Sequence, residues 1–126
     1  MYDYSAINDS PTMVFTTASS LEGGAFTAVA LSASGITTAG ASSVAVGLLT
    51  SENELPIPEG EDVTVQISGG GYWVAGESIS AGDLLTSGAG GKAVKASSGD
   101  FIFAQAMLGG ASSAAVPVQI IRGGYK

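Results

Sequence analysis

Residues 62–68 read Asp-Val-Thr-Val-Gln-Ile-Ser (DVTVQIS). Val63, Val65 and Ile67 fall on one side of an extended chain, Thr64 and Gln66 on the other. Strict alternation over this length is the signature of a half-buried β-strand. Three glycines, Gly69–Gly71, then turn the chain into a second apolar run, Tyr72–Ala75.

Working outward, the same grammar recurs. Met13–Thr17, Ala25–Leu31 and Ser43–Leu49 precede the stretch as candidate strands. Leu84–Thr86 and Lys92–Lys95 flank SGAGG as a hairpin, Phe101–Leu108 is the most apolar run, and Val116–Arg122 follows. Apolar positions are rich in β-branched residues, which favour strands over helices. Helical spacing is absent apart from one short turn expected around Ser80–Leu85. Short strands separated by Gly-rich turns predict an all-β fold, a small β-sandwich or β-barrel. Pro117 has no backbone donor, so VPVQII is expected at a sheet edge or a bulge. No internal repeat is found at a period of about 20–50 residues, which argues against a solenoid or propeller.

Residues 1–13 lack either periodicity and form an extended N-terminal arm ahead of a single β-rich domain, 14–126. Tyr2, Tyr4 and Ile7 are apolar groups on an otherwise polar arm, expected to lie on a neighbouring surface. The N-terminal MYDYSAINDS has two acids and no base, unlike a signal or transit peptide.

Composition narrows the chemistry. The chain has 126 residues, roughly half of them Gly, Ala, Ser or Thr. His and Cys are absent, and eleven acids against four bases give a net charge of −7. Without His or Cys there is no N/S zinc site, no disulfide and no Ser–His or Cys–His nucleophile, so no catalytic, metal or cofactor residue is expected. The acidic balance argues against nucleic acid, and no apolar run is long enough to span a membrane. Lack of Cys fits synthesis in a reducing compartment.

Individual motifs point the same way. Ser51–Asp62 (SENELPIPEGED) holds Glu52, Glu54, Glu59, Glu61 and Asp62 on a chain stiffened by Pro56 and Pro58. Its spacing does not match a calcium loop, and it reads as a solvated loop or a contact for a basic patch. Thr86–Ala93 (TSGAGGKA) has a Gly-Lys pair but lacks the first Gly and the final Ser/Thr of a phosphate loop. Asp83 and Asp100 each follow Gly, where an Asp side chain bonds its own turn. Asn8-Asp9-Ser10 is followed by Pro11, which discounts it as a glycosylation site. Tyr72 and Trp73 are adjacent on a strand, so one ring enters the core and the other reaches a surface or an interface. The first 91 residues carry ten acids and no base, and Lys92, Lys95, Arg122 and Lys126 follow.

Several of these segments, in order, resemble the capsid decoration (head cement) proteins of tailed bacteriophages. They are the Gly-Asp turn of Ala81–Leu85, the Gly-rich turn into Lys92-Ala93-Val94, the strand Phe101–Leu108, the Ala/Ser turn Gly109–Ala115 and the strand Val116–Ile121. The resemblance implies a non-enzymatic virion protein on the capsid exterior, made in the host cytoplasm. It would bridge major capsid protein subunits, often as a homotrimer. It places Tyr2, Tyr4 and Ile7 on the shell and Tyr72, Trp73, Val116 and Val118 at a subunit interface. A recombinase label carried by some members has no support in the failed phosphate loop. The alternative is a glycan- or host-surface-binding β-domain displayed on a virion or cell, with a concave patch around Tyr72 and Trp73.

Overall fold

The computed structural model describes residues 12–21, 25–41, 43–50 and 57–126. The acidic stretch Ser51–Pro56 and the arm residues Tyr2, Tyr4 and Ile7 lie outside them.

The fold is all-β. Among the described residues ten strands build two five-stranded antiparallel sheets: β1 Thr12–Thr16, β2 Ala28–Ser32, β3 Gly35–Thr38, β4 Gly47–Leu49 and β5 Asp62–Gln66 in the first; β6 Gly69–Val74, β7 Leu84–Ser87, β8 Ala93–Lys95, β9 Phe101–Ala106 and β10 Ala115–Tyr125 in the second. β1 begins at Thr12, inside the expected arm. The expected helical turn at Ser80–Leu85 is instead a tight turn: the Ser80 N–H donates to Asp83 Oδ2 (2.9 Å) and the Asp83 N–H to the Ser80 carbonyl (3.1 Å). Asp100 closes its own turn in the same way, accepting from the Ser97 N–H at 2.8 Å.

Alternation along DVTVQ places Val63 and Val65 in a core with Leu21, Val29, Ile36, Leu49 and Ile57, enclosed by the first sheet. The next residues over, Ala28 and Leu48, face the second sheet and join the core around Trp73, Phe103, Val116 and Val118. β4 and the start of β2, Ala28–Val29, are therefore buried on both faces. That explains why GLL and AV are apolar without alternating.

Each sheet also curls until its outer strands meet. Thr17 bridges Ile36 in the first sheet and Ala75 bridges Ala93 in the second. In the first, this closure brings Gly35 against β1. Its φ is +146°, and a Cβ there would collide with the Thr16 carbonyl. Only glycine meets both conditions.

The two sheets are two copies of one unit. In chain order within each unit, the strand order is first-fifth-fourth-second-third in both. The backbone bonds correspond one by one. Leu21 and Ile57 exchange N–H···O bonds at 2.8 and 2.9 Å, as Ile79 and Gly110 do at 2.9 Å each. Ala18 donates to Ile36 at 2.7 Å, and Gly76 donates to Ala93 at 2.7 Å. Positive φ falls at matched places: Phe26 (64°) with Gly82 (90°), and Gly60 (85°) with Ser113 (74°). The clearest trace in the sequence is Val63-Thr-Val-Gln-Ile-Ser-Gly-Gly-Gly-Tyr72 against Val116-Pro-Val-Gln-Ile-Ile-Arg-Gly-Gly-Tyr125. Thr17 to Ala75 is 58 positions and Glu61 to Ala114 is 53, outside the 20–50 window in which no repeat was found.

The expected sheet edge at Val116–Ile121 is corrected. β10 lies inside its sheet, paired with β6 on one side and β9 on the other. Pro117 is tolerated because its flank faces Met107, just beyond the end of β9. The Pro117 carbonyl accepts the Met107 N–H at 2.9 Å, and the donor that proline lacks has no strand to meet there. A bulge does follow, where the register shifts between Ile120 and Gly124.

Candidate adhesion surfaces

The titratable groups are spread out. Among the described residues no group of three or more His, Cys, Asp or Glu is placed to hold a metal ion. Asp83 and Asp100 are engaged in their own turns, and Glu77 accepts the Lys95 N–H at 2.8 Å. What the surface offers is apolar area.

Of the four residues expected at a subunit interface, three are in the core. Trp73, Val116 and Val118 have essentially no exposed surface. They share a face because Trp73 and Val116 are register partners and Val118 is two residues along. The Trp73 indole N–H donates to the Gly91 carbonyl at 2.8 Å, and its ring meets Phe103 edge-on at 5.4 Å. These side chains are spent inside the protein and cannot face another subunit. Tyr72, one residue on, points outward as alternation requires and is 51% exposed.

Tyr72 anchors the first of three apolar patches. Its ring lies 5.7 Å from that of Phe26, and its register partner is Pro117. Met107 follows through its bond to Pro117, and Leu108 continues the exposed apolar run. Phe26 holds its left-handed conformation because its N–H donates to the Leu49 carbonyl and its carbonyl accepts the Val74 N–H, each at 2.9 Å.

The second patch is β1, where Met13 and Val14 are both exposed, together with Leu31 near the β2–β3 turn. The third is the end of β10. Past Ile120 its β6 partner has ended, and after the bulge Gly124 and Tyr125 pair with β9. There Tyr125 packs on Phe101 at 5.5 Å and the Arg122 guanidinium sits 5.9 Å from the centre of the same ring.

Sequence reasoning missed Met13, Val14 and Ile121. The signal was present: Met13-Val14-Phe15 and Ile120-Ile121 are consecutive apolar residues, and a strand with one buried face can hide only alternate ones. Charge divides by repeat. Residues 12–66 contain six acids and no base, and residues 69–126 contain three acids and four bases.

No protein-family model matches the chain, and no curated protein matches it. Among solved structures, the fold is similar to that of the N base of the head fibre gp8.5 of bacteriophage phi29. The TM-score is 0.69 at 18% identity, over 92% of this chain and 98% of that one. What the two chains share is the fold.

Proposed function

We propose that this chain is a structural protein of a phage virion, bound to the outer surface of the head and bridging major capsid subunits, with no chemical step of its own. The observation that carries this reading is the near end-to-end fold likeness to a phage head fibre base. Three exposed apolar patches on a small β-protein support it, because adhesion to a lattice works through broad, repeated, individually weak contacts that add as avidity. On this reading Tyr2, Tyr4 and Ile7 contact the shell, and Tyr72 rather than Trp73 belongs to a contact with a sister subunit in a trimer.

The test is a binding titration on purified heads that lack the protein, comparing the full chain with its Tyr2→Ala/Tyr4→Ala/Ile7→Ala variant. Saturable binding of the full chain, weakened about tenfold or more in the variant, is expected from losing three apolar contacts. Equal binding by the two removes the arm from the account, and no binding by either removes the shell.

A further inference from the structure

Of the surfaces the fold leaves open, one has a worked counterpart inside the same chain. In the second repeat, the end formed by β6 and the β7–β8 turn is sealed by the first repeat. Trp73 is fully buried, the Val74 N–H reaches the Phe26 carbonyl, and Gly91 presses so closely on Ala28 that a Cβ would stand 2.7 Å from its carbonyl oxygen. The shared register puts Phe15 where Trp73 stands and Leu31 where Ser87 stands. Trp73 and Ser87 are buried, whereas at the corresponding end of the first repeat Phe15 is only half-buried and Leu31 is 63% exposed.

The sealing face also has its counterpart. In the first repeat it is the register pair Ala28–Leu48, with Thr38 beside Gly91. In the second repeat the same pair is Leu84–Gln105, and Lys95 takes the place of Thr38. Gln105 is exposed, its amide tied to the Gly82 carbonyl at 3.1 Å. Lys126 adds a second cation, its Nζ lying 3.3 Å from the Ala96 carbonyl. The open end is flanked by acids instead: Asp62 accepts from Thr16 at 2.9 Å, and Glu61 precedes it. A contact that is apolar within the chain is therefore charge-complementary between chains.

We infer that the open end of the first repeat, centred on Phe15 and Leu31, docks a second copy of this chain through the Leu84–Gln105 face of its second repeat, reproducing between molecules the contact between repeats. Such a contact is heterologous, so it propagates and closes into a ring when the turn per step allows. The inference rests on the repeat and on charge, independently of any virion role.

The test is sedimentation equilibrium of the full chain at low and high salt, with the variants Leu31→Arg and Gln105→Arg, both at exposed positions. The wild type associates, less so at high salt. Each variant, folded by far-ultraviolet circular dichroism, associates about a hundredfold more weakly because an unpaired cation is buried in the contact. An equimolar mixture of the two forms a one-to-one dimer, since each retains one intact side, an outcome that no symmetric contact gives. Asp62→Lys and Lys95→Glu, which spare the apolar contacts, each weaken association by about tenfold. A wild type that stays monomeric, variants that associate like wild type, or a mixture as dissociated as its components would overturn the inference.

Discussion

Trp73 ties together sequence, core and repeat junction in one side chain. Its N–H satisfies the Gly91 carbonyl, and Gly91 abuts the Ala28 backbone of the other repeat. Trp73→Phe keeps an aromatic ring but orphans a buried carbonyl, so a loss of about 2 kcal/mol is expected in urea unfolding. No loss would mean that the bond contributes nothing net. Thr86 makes the opposite case. Its Oγ1 is buried and has no hydrogen-bond partner among the described residues. Thr86→Val has nearly the same shape and removes the unsatisfied group, and a gain of about 1 kcal/mol in the same measurement is expected. Phe26 occupies the conformation that glycine supplies at the matched Gly82, yet its ring covers Tyr72. Left-handed strain and ring contact oppose each other there, each on the order of 1 kcal/mol.

Among the elements, β1 and β3 show how the sheet closes. Gly35→Ala places a Cβ against the Thr16 carbonyl at a φ that L-residues rarely adopt, so a loss above about 2 kcal/mol is expected from chemical denaturation. An unchanged midpoint would show that the closure is not rigid. The elements also show what was legible in the sequence. DVTVQ was plain, because one face meets the core and the other does not, and alternation records that difference. The Gly-Asp turns were plain too, because the side-chain bond is local. β3 was missed: Gly-Ile-Thr-Thr has one large apolar residue and is held by its partners β2 and, through Ile36, by Thr17. β10 was found but misplaced, since a proline says that one flank lacks a donor and cannot say that β9 ends opposite it. The interface assignments of Trp73, Val116 and Val118 failed for the same reason. Strand-level pattern says that two faces differ, and only the second sheet decides which face is inside. The repeat lay in view at VxVQIxxGGY, but its spacing exceeds the periods of about 20–50 residues that mark solenoids and propellers, and elsewhere the matched positions carry different residues such as Phe15 and Trp73.

At the scale of the molecule, one core spans both repeats: Ala28, Ala39, Ala45 and Leu48 of the first join the apolar cluster of the second. The repeats should therefore unfold together. Trp73 fluorescence and far-ultraviolet circular dichroism are expected to give coincident thermal transitions, and two separated transitions would show that the repeats are energetically independent. The charge asymmetry belongs to this scale as well, with an acidic first repeat and a second in which bases outnumber acids by one. Such a distribution orients a molecule on a charged partner and keeps its acidic half soluble. The central claim is adhesion to the outside of a phage head. Its most direct test is electron cryomicroscopy of particles made from the genome that encodes the chain, at a resolution that separates strands. The account predicts ordered density outside the shell that fits the two-repeat β-fold and touches more than one capsid subunit. Particles whose outer surface carries no such density would contradict it.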